Sequence, residues 1–289
     1  MRIIIALVLL TAVKRSLNAI IRPEADSADK SAHPTSIPVT TDESWINEIS
    51  MNGVVEEDIE DMNETGELNP NYYPAQRAAT VVEHYLNTRY GSPSKLFLLH
   101  DVHKANAEDV ADSGRKYQLE ISMQEIIGNT TWTCSAEVLF PRGGQQRSPQ
   151  VKASCEELVK INTTAQDEAL YQQHKMNQSL LSVRHLPDSY GHIEPDMKPF
   201  WHLGAVASSF VMLNESTEDT KYNMAQVANV TQMATENDQL KFDYDVLLHD
   251  MVSQEIIHWK LLITWSPPEG VKVLQMTMLP RCFECEKPH

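Results

Sequence analysis

The sequence predicts an α+β protein of two tandem units, each with one helix packed on an antiparallel four-stranded sheet. A helical pattern is followed by four strand-like runs, and this order occurs twice along the chain. The runs are separated by short turns, which antiparallel strands allow. A short string, Gln-Glu-Ile-Ile, also recurs at residues 124–127 and 254–257. An internal duplication accounts for the repeated order and the repeated string.

The first residues have the pattern of a secretory signal peptide. Met1 and Arg2 precede an apolar run over residues 3–13, which is shorter than the roughly 17 residues that a bilayer-spanning helix needs. We therefore expect residues 1–19 to be a signal peptide and the protein to be secreted into an oxidising, extracellular environment. An uncleaved membrane anchor is the alternative, which the shortness of the run disfavours.

Asn-x-Ser/Thr sequons are more frequent than chance predicts. About two are expected by chance, and six are present, none with Pro at the middle position. They begin at Asn63, Asn129, Asn162, Asn177, Asn214 and Asn229. The sequence therefore predicts a glycoprotein.

The charge of the chain is acidic and unevenly distributed. There are 24 Lys and Arg against 40 Asp and Glu, a formal net charge of −16, so we expect no nucleic-acid partner. Ten of the acids lie between Asp42 and Glu67, with no Lys or Arg among them. Residues 20–68 are therefore predicted to be a disordered acidic arm. Solvation is its ordinary role, and contact with matrix or mineral is the alternative.

Residues 69–160 are predicted to form the first unit. Small and apolar residues recur at helical spacing from Ala75 to Leu86, and Gly91 is placed to end this helix. Apolar alternation then predicts four strands. These strands lie near residues 95–103, 117–123, 134–140 and 151–155.

The last two of these strands each carry a cysteine in the same alternating phase. If they pair around the turn at Gly143 and Gly144, Cys134 is opposite Cys155 at a separation that suits a disulfide. We predict this bridge, with two free buried thiols as the alternative.

Two further cysteines, Cys282 and Cys285, form a C-x-x-C in the tail at residues 281–289. A zinc site would need a second pair of ligands, and a redox motif would need a following helix. A disulfide within the tail is therefore expected.

The second unit repeats the order of the first. A linker at residues 161–185 contains a predicted polar helix, and the second unit follows over residues 186–280. Its helix is predicted from one apolar face made of Phe200, Leu203, Gly204, Ala207 and Val211. Its strands are predicted near residues 222–233, 242–248, 257–265 and 271–278.

Motifs of catalytic chemistry are missing from the sequence. There is no H-E-x-x-H, G-x-S-x-G, Walker loop or G-x-G-x-x-G. We therefore predict a binding protein that is not an enzyme, with no cofactor and no metal of its own. The candidate binding segment is the turn at residues 250–258, where Ile256 lies out of the inward phase that Ile257 and Trp259 share.

Several segments resemble the latexin family. They are Asn71-Tyr-Tyr-Pro-Ala-Gln-Arg-Ala-Ala, Tyr117-Gln-Leu, Cys134-Ser-Ala-Glu-Val-Leu-Phe-Pro, Leu186-Pro-Asp-Ser-Tyr-Gly-His, Asn214-Glu-Ser-Thr-Glu-Asp-Thr and Phe242-Asp-Tyr-Asp-Val-Leu-Leu-His, with Ser253-Gln-Glu-Ile-Ile. The resemblance runs from about Asn69 to Leu279. The predicted signal peptide and cysteine pair are similar to the secreted members of this family, which include the eggshell protein ovocalyxin-32.

The resemblance implies two cystatin-like domains, each a helix on a curved sheet, and inhibition of A-type zinc metallocarboxypeptidases. The protease would be the protein partner, and the zinc would belong to it. The blocking surface would correspond to the start of the second helix, at residues 188–194, and to a strand turn at residues 253–259. The implied contact residues are Ser189, Tyr190, His192, Gln254, Glu255, Ile256, Ile257 and His258.

Two residues depart from the family pattern. His258 stands where latexin has Pro, and Pro199 lies inside the expected second helix, so we expect that helix to start later. An alternative function follows from the acidic arm and the sequons: an extracellular matrix or eggshell glycoprotein in which the two units are only a scaffold.

Overall fold

The computed structural model describes residues 65–111, 113–143, 148–176 and 180–280. The predicted signal peptide, most of the acidic arm and the tail with Cys282 and Cys285 lie outside the described residues, as do Asn63 and Asn177. Of the remaining sequon asparagines, Asn129, Asn162 and Asn214 are exposed and Asn229 is partly buried.

The first half is a five-stranded antiparallel sheet that packs on one helix. The strands are adjacent in chain order, and the helix α1 (Tyr73–Tyr90) lies between the first two in sequence. The strands are β1 (Gly66–Leu68), β2 (Phe97–Val110), β3 (Gly114–Glu125), β4 (Thr130–Pro141) and β5 (Gln150–Ser154). Alanines of α1 pack against inward residues such as Phe97, Ile121 and Val138.

The second half has the same organisation. Its five strands are again adjacent in chain order, and the helix α4 (Lys198–Glu215) lies between the first two in sequence. The strands are β6 (Ser182–Leu186), β7 (Tyr222–Glu236), β8 (Gln239–Asp250), β9 (Glu255–Ser266) and β10 (Gly270–Met278). Strict alternation along β8 buries Leu240, Phe242, Tyr244, Val246 and Leu248 under the helix.

Each sheet therefore has one strand more than the four predicted. The additional strand β1 belongs to the segment predicted as a disordered arm, and β6 belongs to the segment predicted as a linker helix. The connection between the halves holds two helices, α2 (Glu156–Val159) and α3 (Thr164–Met176), and α3 ends before the predicted limit. Both additional strands are edge strands of their sheets.

The predicted disulfide between Cys134 and Cys155 is present, with a Cα–Cα distance of 4.7 Å. The register of β4 and β5 pairs Ser135 with Ser154, which places the two cysteines one position beyond the last strand pair. The bond therefore extends the β4–β5 pairing covalently.

Pro199 lies in the first turn of α4, after a short 3₁₀ helix (Pro195–Met197). A proline is tolerated at this position because the first amides of a helix have no partner within it. The regular helix thus starts later than the family pattern implied, as expected from Pro199.

The two helices α1 and α4 pack against each other. His202 Nδ1 of α4 lies 2.8 Å from the Pro93 carbonyl oxygen, and Leu213 of α4 packs on the core of the first half. Within the described ranges, no helix has both the length and the hydrophobicity needed to cross a membrane.

Candidate functional site

The two segments expected to form the binding surface leave the second sheet at the same end. Leu186 is the last residue of β6. It pairs with Val227 of β7, and the same row continues across the sheet through Val246 of β8 to Trp259 of β9. Beyond this row, β8 ends and β9 begins at the pair Asp250 and Glu255. Strands β6 and β8 are two strand spacings apart, about 10 Å. The hairpin turn of β8 and β9 and the turn after β6 therefore project side by side.

The β8–β9 hairpin turn is organised by the carboxylate of Asp250. Its Oδ1 accepts hydrogen bonds from the amides of Lys221 and Val252, both at 3.1 Å. Its Oδ2 accepts from the Ser253 hydroxyl at 2.7 Å and from the Ser253 amide at 3.4 Å. Burial alone would raise the pKa of Asp250, but these hydrogen bonds outweigh it and the pKa is lowered.

This hairpin turn presents three large apolar side chains to solvent. Met251 is 45% exposed, Val252 is 42% exposed and Ile256 is 50% exposed. Only Ile256 was identified from the sequence. The signal for the other two was available, because Asp250 and Ser253 flank them as turn-forming residues and so place them at the tip of the turn.

The turn after β6 is organised by a second aspartate. Asp188 Oδ1 accepts hydrogen bonds from the amides of Tyr190 at 2.9 Å and His192 at 2.8 Å. These bonds lower the pKa of Asp188, and the bond from the His192 amide has the larger effect. Gly191 has a φ of 80°, which glycine adopts without strain. The tip residue Tyr190 is 89% exposed.

The turn after β6 is also tied to the sheet, since Gln226 of β7 donates a hydrogen bond to the Pro187 carbonyl at 2.7 Å. The resemblance implied that residues 188–194 form the start of the second helix. This was wrong in detail: the 3₁₀ helix and α4 begin only after this segment, because each has a proline at its first positions.

The expected contact residues differ in accessibility. Ser189, Tyr190, His192, Gln254 and Ile256 are exposed, whereas Glu255, Ile257 and His258 are partly buried. Ile257 shares the inward phase of β9, and His258 pairs with Leu247 on β8. The accessible part of the surface thus consists of the two turn tips and Ile256.

Among the described residues, no three His, Cys, Asp or Glu side chains come together in a way that could hold a metal ion. This end of the sheet carries two braced turns with apolar tips beside polar groups. Such a combination is typical of protein interfaces.

The family model named Latexin matches residues 68–282. Latexin from Mus musculus is 40% identical over 221 residues, covering 76% of this chain and 100% of that protein. Retinoic acid receptor responder protein 1 from Homo sapiens is 35% identical, covering 68% of this chain and 70% of its own length. Ovocalyxin-32 from Gallus gallus is 30% identical, covering 71% of this chain and 74% of its own length. The chain therefore belongs to the latexin family.

Proposed function

We propose that this protein inhibits zinc metallocarboxypeptidases of the A type and has no catalytic activity of its own. The single observation that supports this most is the projection of two braced turns, with exposed Tyr190 and Ile256, from one end of the second sheet. Family membership adds support, as does the packing of one helix on each sheet, which the cystatin-like prediction requires.

The proposed mechanism is exclusion of substrate. A carboxypeptidase acts on a peptide that ends in a free carboxylate at the bottom of its active-site funnel. Both turns are internal segments of the chain, so they offer no terminal carboxylate and no bond that the enzyme can cleave. A surface that covers the funnel mouth in this way blocks the enzyme without being consumed.

Apolar tips and polar flanks would have separate roles in the complex. Tyr190 and Ile256 would lose water on contact and act as anchors, which dominate the affinity of most interfaces. Gln254, which is exposed, would hydrogen-bond the rim of the funnel. Glu255 is only partly exposed and would add a contact at the edge, whereas the Nε2 atom of His258 is buried and would not reach the enzyme's zinc. Because the turns are already braced by Asp188 and Asp250, little conformational entropy would be lost on binding.

The test is inhibition of carboxypeptidase A by the purified chain and two anchor variants. Tyr190→Ala and Ile256→Ala should each raise the inhibition constant by roughly 10- to 100-fold. Leu274→Ala is the matched control, because Leu274 is 53% exposed on β10, away from the turn end of the sheet, and should leave the constant unchanged. Full enzyme activity at micromolar wild-type protein would rule the proposal out.

A second candidate function is a role in extracellular matrix or eggshell, after export through the predicted signal peptide. It is supported by the ten acids without a basic residue between Asp42 and Glu67 and by the exposed sequon asparagines. Binding of the full chain to calcite, lost when residues 20–64 are deleted, would favour this function. Equal binding after the deletion would count against it.

A further inference from the structure

Asp250 is almost fully buried at 6% exposure, and it occupies the boundary between a strand and a solvent-exposed turn. Its four hydrogen-bond donors come from two parts of the chain that are distant in sequence. Three belong to the turn itself, at Val252 and Ser253. The fourth is the amide of Lys221, just before β7.

A second hydrogen bond joins the same two parts in the opposite direction. The Met251 amide donates to the Lys221 carbonyl at 2.8 Å. The backbone of Lys221 thus makes two hydrogen bonds to the hairpin turn, one through its amide and one through its carbonyl. Gln254 completes the turn with a φ of 60°, and its side chain donates to the Met251 carbonyl at 2.6 Å. The tip is therefore fixed laterally against β7 as well as along its own strands.

This bracing holds Met251 and Val252 in place although both are exposed apolar side chains. A hairpin tip of this kind normally has a mobile backbone, because its amides are satisfied by water. Here the amides of Val252 and Ser253 point at a buried carboxylate instead. A charged acceptor makes such bonds about twice as strong as neutral ones.

We infer that Asp250 is a positioning residue of the inhibitory surface, acting through a preformed contact element that includes Met251 and Val252. The inference rests on the proposed function and extends it. Asp250 touches no partner atom itself. It fixes the apolar tip before the partner arrives, so that binding does not have to order the turn.

The central variant is Asp250→Asn, which keeps the size of the side chain and one oxygen but removes the charge and one acceptor. We expect amide hydrogen exchange at Val252 and Ser253 to become at least about tenfold faster, and the inhibition constant for carboxypeptidase A to rise about tenfold. The melting temperature should fall by no more than about 4 °C, because the substitution leaves every side chain of the hydrophobic core in place.

Two further variants separate positioning from contact. Asp245→Asn removes the same charge from the same strand at a position that pairs with Lys260, away from the hairpin turn, and should change neither the exchange rates nor the inhibition. The double variant Met251→Ala and Val252→Ala should weaken inhibition as much as Asp250→Asn does. The backbone amides at positions 252 and 253 should remain protected from hydrogen exchange in this variant.

Two results would overturn the inference and leave the proposed function intact: unchanged exchange in Asp250→Asn, or faster exchange with unchanged inhibition. A wild-type chain that does not inhibit would overturn both the proposed function and the positioning role. In that case the exchange rates would still report separately whether the carboxylate holds the turn.

Discussion

Glu83 and His84 are neighbours on α1, and burial shifts the pKa of each side chain. As the pH changes, the two shifts alter the stability of the fold in opposite directions. Burial raises the pKa of Glu83 to about 7, although the Leu99 amide, at 2.7 Å from its carboxylate, and Lys221 favour the charged form. Burial lowers the pKa of His84 to about 4, against the backbone of Tyr222, which favours its protonated form.

Each shift contributes a slope to the pH dependence of stability. Between pH 4.5 and about 7 the folded chain keeps a proton on Glu83 that the unfolded chain has lost, so rising pH lowers the free energy of unfolding. Between about pH 4 and 6.5 the unfolded chain holds a proton on His84 that the folded chain excludes, so falling pH lowers the free energy of unfolding. Where the ranges overlap, the two contributions largely cancel.

Glu83→Gln should remove one of these slopes and keep an acceptor for the Leu99 amide. We expect the free energy of unfolding of the variant to rise from pH 4.5 to 6.5, where these two groups leave that of the wild type nearly flat. At pH 8 the variant should be more stable by about 1–2 kcal/mol. Urea denaturation at a series of pH values measures both effects, and parallel curves for the two proteins would contradict the assignment.

At the scale of elements, α4 approaches the second sheet closely at Gly204. A Cβ at this position of α4 would lie 2.7 Å from Val227 Cγ2 and 3.1 Å from Tyr244 Cε1. Both contacts belong to buried strand residues. The absence of a side chain on Gly204 therefore lets α4 lie directly on β7 and β8.

Gly204→Ala tests this packing. Alanine is the better helix former by about 1 kcal/mol, but we expect the steric overlap to dominate and to destabilise the protein by about 1–3 kcal/mol. Ala205→Gly on the same helix is the control, since it measures the propensity difference at a partly buried neighbour. A melting temperature of Gly204→Ala above that of the wild type would show that the sheet yields without cost.

Elements with a strong periodic pattern could be predicted from the sequence, and those without it could not. The strand β8 alternates without a break, and α1 has its alanines at helical spacing. The strand β1 has only three residues, too few for an alternating pattern to be recognised. The strand β6 has five residues, but its apolar residues Val183 and Leu186 do not alternate. Both strands are defined by their pairing with β2 and β7, which is a property of the tertiary structure.

The candidate site shows the same division. The exposure of Ile256 followed from its phase on β9, because alternation alone decides which face a strand residue occupies. The roles of Asp188 and Asp250 did not follow, since they depend on amides that the fold brings to each carboxylate. In the case of Asp250, one of these amides belongs to Lys221, which is separated from it by the whole of β7 and β8.

At the scale of the whole molecule, the two halves share a partly buried polar contact around Glu218. This residue lies between α4 and β7, and its carboxylate is 2.9 Å from the Tyr117 hydroxyl and 3.6 Å from Arg115 Nε, both on β3. Arg77 of α1 donates a hydrogen bond to the backbone carbonyl of Glu218 at 2.9 Å. Burial raises the pKa of Tyr117, and the charge of Glu218 adds to this effect.

Glu218→Ala should destabilise both halves together. Its carboxylate is one of the groups that interact with Arg115, whose side chain is 4% exposed, and breaking a buried ion pair costs about 3–5 kcal/mol. Because Glu218 is itself 32% exposed, we expect a smaller loss of about 2–3 kcal/mol. The urea midpoint should fall in one cooperative transition, while Glu269→Ala, at a surface pair with Lys272, should change it little.

The adjacency of strands in chain order, seen in both sheets, also affects how the protein can fold during synthesis. Neighbouring strands are joined mostly by short turns, so few long loops have to close before each sheet forms, which favours fast folding. Domains acquire structure from the N-terminus as the ribosome elongates the chain. All the described strands of the first sheet precede Cys155 in sequence. Folding of the first half can thus begin before the proposed inhibitory surface has left the ribosome.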